Sequence, residues 1–219
     1  MKIVLVDDQE LLRMGFRLVL NSQPDMEVVA EAADGRAAIA LVAEHAPDVV
    51  LMDVRMPELD GVDATREIVA SGSAARIIIL TTFDLDEYAY AALRAGASGF
   101  LLKDSPPADL LSAIRAVASG DAVVAPSTTK RLLESVELPD PQRPAPVPPA
   151  ALASLTPRER EVLVAVARGL SNPEIADLLV LAEATVKTHI GRILAKLELR
   201  DRVQIVVFAY EHGLAQRAA

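Results

Sequence analysis

Five short apolar runs of strand length recur through the first half of the chain: Lys2–Val6, Met26–Ala30, Asp48–Met52, Arg76–Leu80 and Ser98–Leu102. The run ending at Met52 is valine-rich and apolar on both faces, as a central strand covered by helices on each side is. Between the runs lie helix-length segments with apolar side chains at helical spacing. Over Asp84–Gly96 the shared face holds Leu85, Tyr88, Ala89, Ala92 and Leu93; over Pro106–Gly120 it holds Leu110, Ile114, Val117 and Ala118. The latter segment opens on a proline pair and closes on glycine, as helices commonly do. Five strands alternating with five helices in about 120 residues predict an α/β, doubly wound, five-stranded parallel sheet.

Beyond Gly120 the periodicity fades, although Ser127–Val136 suits a short helix. Pro139, Pro141, Pro144, Pro146, Pro148 and Pro149 then crowd one stretch. That density excludes helix and sheet and predicts an extended, semi-rigid spacer. Helical signals return at Thr156-Pro157-Arg158-Glu159, a capping box with proline in the first turn. Val162, Leu163 and Val166 mark the buried face of that helix, and Gly169 lies past its end. Ser171-Asn172-Pro173-Glu174 repeats the start signal for a helix through about Leu179. Glu183–Leu197 gives a third helix with Val186, Ile190, Ile193, Leu194 and Leu197 inward, and Val203–His212 a fourth, ending at Gly213. The expected organisation is a sheet domain over 1–120, a linker over 121–151 that is proline-rich at 139–149, and a small all-α four-helix domain over 152–219.

Composition sharpens this division. The whole chain carries a net charge of −9, yet residues 1–124 hold 10 Lys and Arg against 20 Asp and Glu, whereas residues 155–219 hold 9 against 8. An acidic front half and a near-neutral back half point to modules with different partners. The chain has no cysteine, which excludes disulfides and thiolate metal sites. Its first residues enter a strand at once, with no signal peptide, and no apolar run approaches membrane-spanning length. The expectation is a cytoplasmic protein without a membrane partner.

The chemistry gathers at the carboxyl ends of the predicted strands. The first ends in Asp7-Asp8, the third in Asp53, the fourth in Thr81-Thr82 and the fifth in Phe100-Leu101-Leu102-Lys103. In a flavodoxin-like strand order these four strands are neighbours, and ligands bind beyond their carboxyl ends. One aspartate at a strand end is commonly a helix cap. An acid pair, an acid, a hydroxyl and a lysine at four adjacent edges are harder to obtain from capping alone. Three carboxylates in one crevice repel one another, and a hard cation with oxygen ligands relieves that repulsion. Mg²⁺ fits, because it takes one or two carboxylates, waters and phosphate oxygens. The lysine and hydroxyl complete a site for phosphoryl transfer to a carboxylate nucleophile. No G-x-G-x-x-G and no Walker loop supports nucleotide binding.

Val-Asp-Asp-Gln at 6–9, Met-Asp-Val-Arg-Met-Pro at 52–57, Leu-Thr-Thr-Phe at 80–83 and Ala-Gly-Ala-Ser-Gly-Phe-Leu-Leu-Lys at 95–103 together resemble the receiver domain of two-component response regulators. The resemblance implies Asp53 as phosphoacceptor. It implies Asp8, Asp53 and the backbone carbonyl of Arg55 as Mg²⁺ ligands, with Asp7 acting directly or through water. Lys103 and Thr81 would meet the phosphoryl oxygens, and Phe100 would be the switch aromatic. Two departures from the familiar pattern are Asp104, where many receivers have proline, and Glu58, where related sequences often have glycine.

On Glu183–Leu197 the polar face carries Thr185, Lys187, Thr188, Gly191, Arg192 and Lys196, donors suited to phosphates and base edges. The second helix of a tightly joined pair is the one that enters the major groove in helix-turn-helix proteins. Leu-Thr-Pro-Arg-Glu-Arg-Glu-Val-Leu at 155–163, Gly-Leu-Ser-Asn at 169–172, Glu-Ile-Ala at 174–176 and Ala-Thr-Val-Lys-Thr-His at 184–189 resemble the LuxR-type helix-turn-helix. By it, Lys187, Thr188 and Gly191 face bases or nearby backbone, Arg192 and Lys196 meet phosphates, and His189 packs or contacts phosphate. Ala182 replaces the serine that commonly caps this helix.

Together the modules resemble a response regulator of the NarL/FixJ class, a non-enzymatic transcription regulator. The resemblance implies a sensor histidine kinase as phosphodonor, a double-stranded DNA operator, a homodimer when phosphorylated or DNA-bound, and RNA polymerase as a further candidate partner. Val203–His212 is the candidate dimer contact. The alternative left open is a phosphorylation-independent (orphan) regulator of the same architecture. A Mg²⁺-dependent phosphohydrolase is disfavoured, because Asp53-Val54-Arg55 lacks the second aspartate that such enzymes use as an acid.

Overall fold

A computed structural model describes residues 1–81, 86–119 and 150–214. Thr82, the predicted helix over 127–136 and the proline-rich stretch lie outside the described residues. The chain divides into two compact units, Met1–Val123 and Val124–Ala219.

The first unit is a five-stranded, wholly parallel sheet in the order β2-β1-β3-β4-β5. Its strands are β1 (Lys2–Val6), β2 (Glu27–Ala32), β3 (Val49–Asp53), β4 (Arg76–Thr81) and β5 (Gly99–Leu102). They alternate with α1 (Glu10–Asn21), α2 (Gly35–His45), α3 (Gly61–Ala70), α4 (Asp86–Arg94) and α5 (Pro107–Ala118). Alternation along each strand sends side chains to opposite faces. Ile3, Leu5, Val49, Leu51, Ile78 and Leu80 pack with Leu20 of α1 and with Leu110, Ile114 and Val117 of α5. The opposite side is covered by α2, which packs on β1, β2 and α3. Both faces of β3 are therefore dry, which explains why its sequence shows no polar alternation. Gly99 opens β5, and Gly96 before it has a left-handed backbone (φ +107°) against Val69.

Among its described residues the second unit is all-helical: α6 (Ala150–Ala153), α7 (Pro157–Ala167), α8 (Asn172–Leu179), α9 (Glu183–Leu197) and α10 (Arg202–Glu211). The single-turn α6 was not expected from the sequence. Four residues are too few to display a periodicity. Both capping boxes form: Thr156 with Glu159 opens α7, and Ser171 with Glu174 opens α8. A three-residue turn over 180–182, with Val180 in the left-handed region, joins α8 to α9. Val186, Ile190, Ile193 and Leu197 are buried as expected, while Leu194 is only half-buried. On α10, Val203, Ile205, Val206, Val207, Ala209 and Tyr210 are all buried within the protein. A contact with a second copy through this helix would have to use the half-exposed Arg202, Gln204, Phe208 and Glu211. No helix among the described residues is long and apolar enough to cross a membrane.

Candidate functional site

Parallel pairing brings β1, β3, β4 and β5 side by side with their carboxyl ends at one edge. Asp53 is the last residue of β3 and is buried; Asp7 follows β1 and is buried; Asp8 beside it is exposed. One carboxylate oxygen from each of the three lies within 4.8 Å of the others. Lys103 follows β5 and reaches across the edge, its Nζ 2.7 Å from Asp7 Oδ2 and 2.9 Å from Asp53 Oδ2. Its side chain is only 7% exposed, so the ion pairs are shielded from solvent. Thr81, buried, closes β4 one residue beyond the Asp53–Leu80 pairing, and its carbonyl accepts the Lys103 N–H at 2.7 Å. Phe100 is half-buried on β5 opposite Ile79.

The local backbone holds this arrangement. Asp7 N–H donates to the Ala32 carbonyl, and the Asp7 carboxylate accepts from the Gln9 N–H at 2.9 Å. Past Asp53 the chain turns back so that the Gly61 N–H donates to the Val54 carbonyl at 2.9 Å. A Cβ on Gly61 would stand 2.0 Å from the Asp53 carbonyl oxygen, so only glycine lets α3 start this close to the site. Glu58 in the same loop has φ +63°, the left-handed backbone that favours glycine. Arg55 lies two residues past β3, and its guanidinium stacks over the Tyr88 ring of α4 at 5.3 Å. Its side chain therefore points to a neighbouring helix, leaving its backbone as the part near the acidic edge.

Charge decides what the edge can do. Three carboxylates face one ammonium. Burial pushes the Asp53 carboxyl above its ordinary range, with the Lys103 ammonium opposing and the Asp7 charge reinforcing that shift. Burial pulls Lys103 down, but its bonds to Asp7 and Asp53 outweigh this and its pKa is raised. Asp7 Oδ2 meets the lysine as an ion pair, yet no aligned hydrogen-bond donor satisfies it. A small divalent cation suits the donor set: hard carboxylate oxygens, close-set, short of positive charge and open to water on the Asp8 side.

In the second unit, Lys187, Thr188, Gly191 and Arg192 are exposed on α9, and Thr185 is half-exposed. Space around Gly191 is open, with nothing within 4 Å of where a Cβ would sit. Lys187 makes only a loose pair with Glu183 at 3.4 Å, and the Thr188 hydroxyl donates to the Ala184 carbonyl. Ala182 caps α9 with no side-chain hydrogen bond, as its sequence implies. His189 is half-buried, and its Nδ1 has no hydrogen-bond partner among the described residues.

Lys196 departs from its expected place. Its Nζ lies 2.7 Å from Glu159 Oε2 and 3.0 Å from the Ser154 carbonyl, tying the end of α9 to the start of α7. Glu159 is buried and accepts from the Thr156 N–H as well, so its pKa falls to about 2, chiefly through the Lys196 bond. The ammonium expected at a DNA phosphate thus has a partner within the domain, while Lys196 itself stays exposed. Sequence reading placed Lys196 on the polar face correctly but had no signal for a partner 37 residues away. It also passed over Arg13 and Gly61, whose roles depend on approach between segments.

The model of the response regulator receiver domain matches residues 3–115, and that of the bacterial regulatory proteins of the luxR family matches residues 153–209. The uncharacterized transcriptional regulatory protein YxjL of Bacillus subtilis is 45% identical over 98% of this chain and 97% of its own. The transcriptional regulatory protein LiaR of the same organism is 41% identical, over 97% of this chain and 98% of its own. Among solved structures, the two-component response regulator RcsB in its DNA complex aligns at TM-score 0.57 and 25% identity, over 96% of this chain and 98% of that one.

Proposed function

The chain belongs to the response regulators that join a receiver domain to a LuxR-type DNA-binding domain, and on that premise we propose that its DNA binding is switched by a phosphoryl group accepted on Asp53. The observation that carries this reading is the single ammonium of Lys103 set between Asp7 and Asp53 at one sheet edge. The receiver would span 1–120, the linker 121–151 and the DNA-binding domain 152–219.

In the proposed transfer, a carboxylate oxygen of Asp53 attacks phosphorus in the phosphoramidate of a partner histidine kinase. The P–N bond breaks, the imidazole nitrogen keeps the electron pair and takes a proton, and an acyl phosphate forms on Asp53. Asp8, Asp53 and the Arg55 carbonyl, with Asp7 direct or through water, would hold Mg²⁺, which would supply charge neutralisation when bound. Lys103 and the Thr81 hydroxyl donate to the equatorial phosphoryl oxygens. The product carries about −1.5 to −2 charges where the carboxylate carried one. Thr81 and Phe100 then bias the β4–β5 side of the receiver, promoting a homodimer and operator binding.

On DNA, Thr185, Lys187, Thr188, Gly191, Arg192 and the exposed Lys196 present the reading face, Lys196 also bracing the helix end through Glu159. Lys187→Ala or Arg192→Ala is expected to weaken binding to an operator duplex, each lowering the salt slope by about 1 if the lost contact is to phosphate. The protein works in the cytoplasm beside its kinase, with RNA polymerase as the partner when bound upstream of a promoter.

The test is intact mass after incubation with Mg²⁺ and acetyl phosphate. One added phosphoryl group, absent from Asp53→Asn and from a Mg²⁺-free sample, is expected. No adduct with DNA binding intact would establish the phosphorylation-independent regulator instead.

A further inference from the structure

The acid pair Asp7-Asp8 hangs on a loop between β1 and α1, and one side chain outside the acidic edge grips that loop. Arg13, on the first turn of α1, donates from Nη1 to the Asp7 carbonyl at 2.5 Å. On its other side, its buried Nε lies 3.5 Å from Oε2 of Glu31 on β2, an ion pair without an aligned hydrogen bond. The second oxygen of Glu31 meets Arg17 Nη1 at 3.1 Å. Arg13 is 15% exposed and Glu31 26%, whereas Arg17 is half in solvent. Glu31 is fixed in turn by the sheet, where it pairs with Leu5 two residues before Asp7.

Glu31 offsets the positive charge of Arg13, so the arginine does little to neutralise the three aspartates. Its contribution is geometric. The planar fork bridges a backbone carbonyl and a carboxylate, which a lysine ammonium cannot do in the same way. The carbonyl it holds belongs to the residue whose two neighbouring bonds aim the carboxylates of Asp7 and Asp8. A divalent cation of Mg²⁺ size tolerates little error in ligand direction. We propose that Arg13, braced by Glu31, is a positioning residue that sets the divalent-cation affinity of the Asp7-Asp8 loop. This rests on the reading of the acidic edge as a cation and phosphoryl site.

The experiment is calorimetric titration of the full chain with Mg²⁺, alongside the thermal unfolding midpoint without metal. Arg13→Gln is expected to weaken Mg²⁺ binding about tenfold or more, the range of outer-shell substitutions at metal sites. Glu31→Gln weakens it in the same direction, and the double variant is no worse than Arg13→Gln, because both act through one element. Arg13→Lys recovers part of the affinity, and Arg17→Gln leaves it unchanged. With acetyl phosphate, the Arg13→Gln defect appears as a raised Mg²⁺ requirement and closes at saturating Mg²⁺. Unchanged affinity in Arg13→Gln, or a Glu31→Gln effect that adds fully to it, overturns the inference. If Arg13→Gln does not fold, Arg13→Lys and Glu31→Gln decide by the same criteria. A wild-type chain that binds no Mg²⁺ overturns the reading of the acidic edge itself.

Discussion

Lys103 and Lys196 each set an ammonium against a buried carboxylate, and the two sites end in opposite electrostatic states. At the sheet edge one ammonium serves Asp7 and Asp53 with Asp8 close by, and Asp53 sits above its ordinary pKa. In the helical unit Glu159 has Lys196 and the Thr156 backbone to itself, and its pKa falls to about 2. Little of either carboxylate is exposed, but burial is the largest influence at Asp53, whereas at Glu159 the Lys196 and Thr156 bonds outweigh it. The number of donors per charge widens that difference. A carboxylate with a lysine and a backbone N–H on one oxygen holds structure, whereas a set of carboxylates short of donors suits a cation and a phosphoryl group.

The comparison breaks most visibly at the lysines. Lys103→Gln removes the donor aimed at the transferring group and is expected to slow acetyl phosphate labelling on the order of 10²-fold, measured by intact mass against time. Lys196→Gln is expected to leave labelling untouched but to destabilise the helical unit by about 2 kcal/mol, read by urea unfolding of the full chain. If Lys196→Gln instead left stability alone and flattened the salt dependence of DNA binding, its place at a phosphate would be restored.

Acidity sharpens the contrast through sign. Glu159 has a folded-state pKa below its unfolded value, so its stabilisation is fully present above pH 4.5 and is lost as pH falls towards about 2. Asp53 is shifted the other way, so the folded receiver holds its proton more tightly than the unfolded chain. Its contribution therefore grows less favourable as pH rises from 3.8 through the raised folded value. In unfolding without metal, Asp53→Asn should remove a contribution that weakens the receiver as pH rises, the opposite of the trend Glu159 gives the helical unit. Parallel trends would show that the two carboxylates are held alike. The smallest effect concerns the loop between Asp53 and α3: Glu58→Gly relieves a left-handed backbone and should add about 1 kcal/mol to receiver stability in the same unfolding experiment.

Much of the acidic edge was legible because each of its groups ends a strand. Apolar runs locate β1, β3, β4 and β5, and parallel order then places Asp7, Asp53, Thr81 and Lys103 together without any knowledge of distances. The helical starts at Thr156 and Ser171 were legible for a similar reason, since a capping box is contained in four consecutive residues. What escaped depends on pairs far apart in sequence. The Lys196–Glu159 bond, the Arg13–Glu31 contact across α1 and β2, and the approach of Gly61 to Asp53 have no periodic trace. A lysine on a polar helix face has the same local pattern whether it meets DNA or another helix.

One short bond at the edge sets how a signal must leave it. The Thr81 carbonyl accepts the Lys103 N–H at 2.7 Å, so the two residues that would greet the phosphoryl group share a backbone link. Drawing the Thr81 main chain toward Asp53 either breaks that link or carries the end of β5 along. Under the proposed switch, a movement of the Thr81 main chain would therefore reach the residue after β5 through the Lys103 amide. Hydrogen exchange at that amide would report whether the link holds.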